Sequence, residues 1–410
     1  MKHQLNGHSI AICTSALIAA ALAPTANAFD VQAGDWKLSV SGNVNAHYIY
    51  SSCESNPSAV GGGLACVGDS SGDKSSSVSN GLLPAALSIS GATTQSGYDI
   101  GVTFGLYPGI STNDGGSPNI ANTSATRNTA LGSASLDVRQ VFLTFGNKEM
   151  GTVMAGRNIG LFGADAILND MTLLGVGAGN GNYAAPTNTS LGSIGLGYIY
   201  TDWLAQINYT TPDLSGFKFT AGIFDPVESL TGNGATTKKS PGFHAKAAYT
   251  LGDLYLSATY LNQKQADPTG ISYTGSAFDL GGKYKVGGLE FAGWYYHGSG
   301  IGTTGLFVLS ADAAGNTRDS KGFLAQVTYK INNTKLGVNY GESKLDLSSA
   351  ETLINAGTLL SKNDKWTVGV YHNLTTNLML VGEFSRLKSE AHNGNSNTSN
   401  NFNVGAFVSF

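Results

Sequence analysis

Residues 36–50 read WKLSVSGNVNAHYIY and alternate between two kinds of side chain. One face is mostly apolar or aromatic, and the other carries mainly small polar residues together with Lys37 and His47. A period of two is the pattern of a β-strand with one apolar face. The run is also long enough for a tilted strand to cross a bilayer. This stretch therefore predicts a membrane-spanning β-strand.

The same alternation returns along the chain, and the joints between runs alternate between long loops and tight turns such as Gly287-Gly288 and Asn332-Asn333. Glycine and asparagine tolerate the positive φ of tight hairpins. Short turns on one rim and long loops on the other are typical of outer-membrane barrels. We predict an all-β fold, a closed transmembrane antiparallel β-barrel of 16 strands. The runs are 35–50, 80–94, 97–107, 135–147, 150–157, 202–211, 217–224, 241–251, 254–265, 275–286, 289–300, 319–331, 334–345, 362–373, 378–391 and 400–410.

The first 28 residues predict a cleaved signal peptide. Residues 10–23 are apolar but too short to span a bilayer, and Ala26-Asn27-Ala28 is a small-x-small cleavage site. The mature domain is then 29–410. Without Lys2 it carries 22 basic and 27 acidic residues, a net charge of −5. No basic field of the kind that binds nucleic acid is present.

Two cysteines remain after Cys13 leaves with the signal peptide. Cys53 and Cys66 lie in one Gly/Ser-rich loop, residues 51–79. In an oxidising compartment this spacing favours a disulfide that closes the loop, and two free thiols are the alternative.

The third long loop, residues 158–201, is unusually apolar for a loop of its length. Its apolar residues are Leu161, Phe162, Ile167, Leu168, Met171, Leu173 and Leu174. Loops this long are generally functional or disordered, and so many apolar side chains need a surface that covers them. We therefore expect this loop to fold back into the barrel mouth and to act as the constriction.

Three further segments carry a family resemblance: the run from Arg139 to Arg157, the turn PDLSGF at 212–217 and the terminal Phe410. With the leader and opening strand, they make the chain similar to the general diffusion porins of Gram-negative bacteria, particularly the betaproteobacterial type. The resemblance implies a homotrimer in outer-membrane lipid, with the third long loop folded inward to narrow the pore. It also implies that the outer-membrane barrel assembly machinery reads Phe410 as an assembly signal.

Four charged residues are candidates for the pore constriction. The loop holds only two acids, Asp165 and Asp170, and no base. These acids either line the pore or have a structural role, as a helix cap or as an anchor to the wall. Arg139 and Arg157 are expected to face them or a rim, because an arginine on the lipid face costs about 2–4 kcal/mol near the midplane. Arg139 needs a bulge for this, since a regular alternation would place it on the same face of the strand as Val141.

The strand positions that are expected to face the lumen carry more charged residues along the wall. They are Lys37, Lys218, Lys246, Lys283, Lys285, Lys330, Asp279, Glu290 and Glu383. Each could act on passing ions, but a solvated wall residue with little effect on transport is the reading that the sequence favours.

These features predict an outer-membrane porin: a water-filled channel for small hydrophilic solutes and ions, with size exclusion and a weak cation preference from the loop acids. One alternative is a substrate-specific channel, and another is a surface adhesin acting through loops 51–79 and 108–134.

No enzyme is expected. The stretch Gly68-Asp69-Ser70-Ser71-Gly72 matches a nucleophile pattern, but it lies in a loop and not between a strand and a helix. We find no cofactor or metal-binding motif in the sequence.

Overall fold

The structure is a computed structural model that describes residues 29–54, 58–66, 74–110, 136–179, 189–228, 239–267 and 270–410. The predicted signal peptide, residues 1–28, lies outside the described residues. Neither helix in the described part of the chain is long or apolar enough to cross a membrane.

Strands account for most of the described chain. They are β1 (Phe29–Ala33), β2 (Trp36–Cys53), β3 (Lys74–Ser79), β4 (Ala86–Gln95), β5 (Tyr98–Pro108), β6 (Leu136–Asn147), β7 (Gly151–Ile159), β8 (Trp203–Thr210), β9 (Phe217–Phe224), β10 (Gly242–Leu251), β11 (Leu254–Ala266), β12 (Ser272–Val286), β13 (Leu289–Ser299), β14 (Asp319–Ile331), β15 (Thr334–Leu345), β16 (Leu360–Asn373), β17 (Leu378–Ala391) and β18 (Ser396–Ser409). The helices are α1 (Ala164–Asn169) and α2 (Leu353–Ala356).

The sheet closes on itself. From β4 to β18 each strand pairs antiparallel with the next, and β18 pairs back onto β2, with Val404 opposite Tyr48. Strands β3 and β4 both pair with β2 and together fill one position in the wall. Strand β1 pairs with the opposite edge of β2 at its beginning, on the side where β18 pairs further along. The described wall therefore has 16 positions, as predicted. Its closure leaves no edge of the sheet unpaired, as a sheet in hydrocarbon requires.

Two details of the strand prediction were wrong. Strand β1 was missed, because five residues are too few to show a period. The predicted run 80–94 is broken, because residues 80–85 leave the sheet and β3 begins within the predicted loop 51–79. Residues 80–85 include Gly81 and Pro84, which disfavour a continuous strand.

The two faces of the wall differ as a membrane barrel requires. Outward side chains are apolar and exposed, as Val44 and Phe104 are, whereas inward ones are polar, as Asn45 and Thr103 are. The alternation that predicted the strands therefore sorts lipid-facing from lumen-facing residues.

Candidate functional site: the lumen and its third loop

Loop 3 (residues 160–202), between β7 and β8, runs through the lumen. Its apolar side chains Ile167 and Leu173 belong to one buried cluster with Trp294 and Leu324, which point inward from β13 and β14. The inner wall thus covers the apolar residues that the sequence left unexplained.

Helix α1 places Asp165 against the wall. Gly163 turns the chain just before the helix with a φ of 76°, and its N–H donates to Asp279 at 2.6 Å. The Asp165 carboxylate, in the first turn, accepts from Lys246 Nζ at 2.6 Å and from Tyr255 OH at 2.9 Å. An acid is favoured at this end of a helix. Asp165 therefore anchors the loop through its start.

The environment of Asp165 keeps it charged. Burial raises the pKa of this carboxyl. The Lys246 ammonium and the hydrogen bonds that the carboxylate accepts outweigh burial and hold the pKa below the ordinary value of 3.8. The acid is therefore ionised at neutral pH and is neutralised by Lys246. The expected cation preference assumed loop acids without a partner, and this premise was wrong for Asp165.

Asp170 joins two limbs of loop 3. It accepts from the backbone N–H of Thr172 at 2.9 Å and from Tyr198 OH at 2.8 Å. The Asp170 side chain is buried, with 4 % of the residue exposed. Asn339, from β15, also donates to its Oδ1 at 3.4 Å. The geometry of Asp170 therefore matches the structural alternative.

Two side chains of the wall hold the end of α1. Gln326 accepts from the Met171 N–H at 2.9 Å and donates to the Asn169 carbonyl oxygen at 2.6 Å. Lys283 Nζ donates to Asn169 Oδ1 at 2.7 Å. Neutral Gln326 was missed because a search for charged lining residues passes over amides.

Glu383, from β17, anchors the middle of loop 3. Its Oε2 accepts from the backbone N–H groups of Val176 and Gly177, both at 2.8 Å. Tyr371 OH donates to Oε1 at 2.5 Å, and Asn403 donates to Oε2 at 3.1 Å. Hydrogen bonds to a charged acceptor are stronger than neutral ones. The predicted lining residue therefore binds the loop.

Residues 80–85 support the same part of loop 3 from the other side of the β18–β2 pairing, which closes the barrel. Leu82 N–H donates to the Gly175 carbonyl oxygen at 2.8 Å, and Leu83 N–H donates to that of Leu173 at 3.2 Å. A Cβ on Gly81 would lie only 2.0 Å from the Gly175 oxygen, so this approach requires glycine. Residues 80–85 therefore leave the sheet at the place where they bind loop 3.

The first long loop also enters the mouth. Cys53 and Cys66 form a disulfide with Cα atoms 5.1 Å apart. Leu64 N–H donates to Asn363 at 3.1 Å, and Ala65 is buried. Part of loop 51–79, through which the adhesin alternative would act, is therefore covered by the wall.

A family model described as Gram-negative porin matches residues 14–392. The chain belongs to the Gram-negative porin family. It is accordingly an outer-membrane channel for passive diffusion.

Solved structures share this fold. The outer membrane channel DcaP of Acinetobacter baumannii has a TM-score of 0.69 at 15% identity, over 93% of this chain and 99% of that one. The anion-selective porin from Comamonas acidovorans has a TM-score of 0.61 at 16% identity, over 92% and 100%. OmpF of Salmonella typhi has a TM-score of 0.61 at 13% identity, over 93% and 100%. At these identities the likeness is one of fold. No curated protein matches the porin.

Arg139 lies on the buried side of β6. The β5–β6 register shifts between Gly105 and Leu106, leaving Arg139 unpaired in the bulge that its parity required. Its guanidinium bonds Asp137 at 2.9 Å and lies 5.1 Å from the centre of the Tyr107 ring. Like Asp165, this buried cation is compensated locally.

Arg157 does not point into the lumen beside Arg139. Of the two positions expected for it, the lumen or a rim, the first was wrong. In the continuous β6–β7–β8 register, Arg157 lies opposite Val141 and Ala205. Paired residues share a face, and Val141 is 40% exposed on the outer face. Arg157 therefore points outward, near the outer end of β7.

The remaining predicted residues lie near the rim with the tight turns. Lys37 pairs with Asp30 at 2.8 Å, and Lys218 approaches Asp213 at 3.8 Å. Lys330 is exposed on the inner face. Phe410 completes the wall through two backbone bonds to Gly42 at 2.8 and 3.0 Å, and its role as an assembly signal stays a prediction.

In the described residues no group of three or more His, Cys, Asp or Glu side chains could hold a metal ion. The nucleophile-like stretch at 68–72 lies outside the described residues. The lining groups can act on solutes through their charge and the space they leave.

Proposed function

We propose that the porin admits small hydrophilic solutes and ions by size, through a passage that loop 3 narrows. The observation that carries this proposal is the anchoring of loop 3 at two points, near its start by Lys246 on Asp165 and near its middle by Glu383 on Val176 and Gly177. A loop held by charged hydrogen bonds keeps one position across the lumen, which a fixed size limit requires.

We also propose that the channel is a homotrimer whose contact side includes β7–β9. These strands have nine, eight and eight residues, against 14 in β16, β17 and β18. At about 3.3 Å per residue and a tilt near 40°, they rise roughly 20 Å, less than the roughly 25 Å apolar band of a barrel. Outward Arg157 on this low wall is better placed against another copy than against lipid.

Swelling of proteoliposomes in neutral sugars of increasing size tests the size limit. We expect rates that fall steeply with sugar size and rise in proportion to concentration. A rate that saturates for one sugar would favour the substrate-specific alternative. Vesicles that stay impermeable to every sugar and ion would favour the adhesin, although the burial of Ala65 leaves that alternative less exposed surface.

A further inference from the structure

Four lysines gather on the inner wall below loop 3, close to the tight turns. Lys283 and Lys285 lie on β12, Lys330 on β14 and Lys335 on β15. Each alternates with exposed apolar neighbours of the outer face, so all four point inward. Lys335 did not feature among the predicted lining residues.

The pairing of these strands brings like charges together. Lys330 and Lys335 are directly opposite each other in the β14–β15 register. Directly opposed like charges destabilise a sheet, and their Cβ atoms lie about 5 Å apart. Lys335 is held over the ring of Tyr371, with Nζ 4.6 Å from its centre. Excess positive charge is therefore built into this part of the wall.

Carboxylates nearby are too few to neutralise the cluster. Glu290 binds Lys285 at 3.2 Å, but Lys285 is 53% exposed and an exposed pair of this kind is weak. Asp253, in an adjoining turn, accepts the Lys285 N–H through its backbone oxygen. In the part of the chain that the structure describes, no carboxylate pairs with Lys330 or Lys335.

Acids higher in the lumen offset this charge only in part. Glu383 and Asp170 interact electrostatically with Lys335, but both are buried. Asp165 is paired with Lys246, and Glu383 accepts four hydrogen bonds. Asp170 and Glu383 are 4% and 3% exposed. An ion in the water-filled passage therefore approaches lysine charge more closely than acid charge.

We propose that Lys283, Lys285, Lys330 and Lys335 form a station for small oxyanions, carboxylates or phosphates, that makes the channel anion-selective. This rests on the proposed passive channel. Lysine ammonium groups act as mobile point charges and bind either oxyanion without a fixed fork geometry. The sign is opposite to the one that the sequence predicted.

The reversal potential in a planar bilayer under a KCl gradient tests this inference. The unmodified protein is expected to prefer chloride. Lys330→Gln with Lys335→Gln should lower the anion-to-cation permeability ratio by about twofold for each charge removed, the effect of one unit charge about 8 Å away in water. Glu290→Gln should raise the ratio, and all these shifts should shrink at about 1 M salt.

Lys344→Gln with Lys388→Gln is the matched control, because these lysines lie on the outer face in ion pairs with Glu342 and Glu390. The control should leave the ratio unchanged. Citrate or inorganic phosphate, added separately from the lysine side, should each reduce chloride current less in the Lys330/Lys335 variant; block by one alone would assign the station to that chemistry.

Cation preference in the unmodified protein, or equal shifts in the control, would overturn the inference while the passive channel stands. A protein without conductance would overturn the channel and this inference with it.

Discussion

The acids and the lysines of the lumen lie in different surroundings. Glu383 is 3% exposed and accepts four hydrogen bonds, whereas the Lys285 side chain near the turns is 53% exposed. Buried charges persist only where donors or opposite charges compensate them. The difference indicates two tasks: buried acids position loop 3, and the lysines near the turns act on ions, with Lys283 taking part in both.

The largest expected effect comes from Glu383→Ala. The change removes the acceptor for the Val176 and Gly177 N–H groups, and each unsatisfied group costs about 1–3 kcal/mol. Loop 3 should detach from β17, and the single-channel conductance should rise. Glu342→Ala, on the outer face, is the control and should leave conductance unchanged. A Glu383→Ala channel with normal conductance would remove this acid from the group that positions the loop.

Lys246→Met should have the next largest effect. It leaves Asp165 buried without its cation, a loss of roughly 3–5 kcal/mol for a buried pair. Thermal unfolding should occur at lower temperature and current noise should increase. Adding Asp165→Asn should recover part of both losses, because the two changes act on one interaction. Strictly additive losses would show that the pair does not act as a unit.

Acid should loosen the start of loop 3 only at low pH. The pKa of Asp165 is below 3.8 in the folded protein. Its contribution to stability is therefore present above the pKa of the unfolded state and is lost as the pH falls through the pKa of the folded state. Conductance should be constant between about pH 5 and 7 and become noisy below the ordinary aspartate range. Asp165→Asn should be insensitive to this change. Noise that already appears near neutral pH would contradict the assignment.

The smallest effect on transport is expected from Cys53→Ser with Cys66→Ser. The disulfide spans 13 residues, and closing a loop of this size stabilises a protein by about 3 kcal/mol, mainly through the unfolded state. Backbone bonds of Leu64 and Ala65 still hold the segment to the wall. The melting temperature should fall while conductance changes little. A large conductance increase would make this loop, and not loop 3 alone, a determinant of pore size.

The barrel could be predicted from sequence because its two faces meet different solvents. Alternation follows directly from lipid on one side and a polar lumen on the other, as residues 36–50 illustrate. The bulge at Arg139 was also accessible, since the cost of charge in lipid made it necessary. Local patterns with a strong energetic cause were therefore informative.

Partners across the lumen could not be read from the sequence. Asp165 and Lys246 are 81 residues apart, and Glu383 lies 207 residues from Val176. Nothing in local composition indicates such pairings, so the loop acids seemed uncompensated. Arg157 was misplaced because the prediction gave the cost of an arginine in lipid more weight than the register, which pairs Arg157 with Val141 and Ala205.

Measuring conductance and reversal potential together, for Glu383→Ala and for Lys330→Gln with Lys335→Gln, tests the division of tasks most directly. We predict that the Glu383 variant raises conductance and does not shift ion preference away from anions, since it removes a negative charge. The lysine variant should shift ion preference away from anions with little change in conductance at high salt. Equal shifts in ion preference for both variants, or no shift for the lysine variant, would contradict the account.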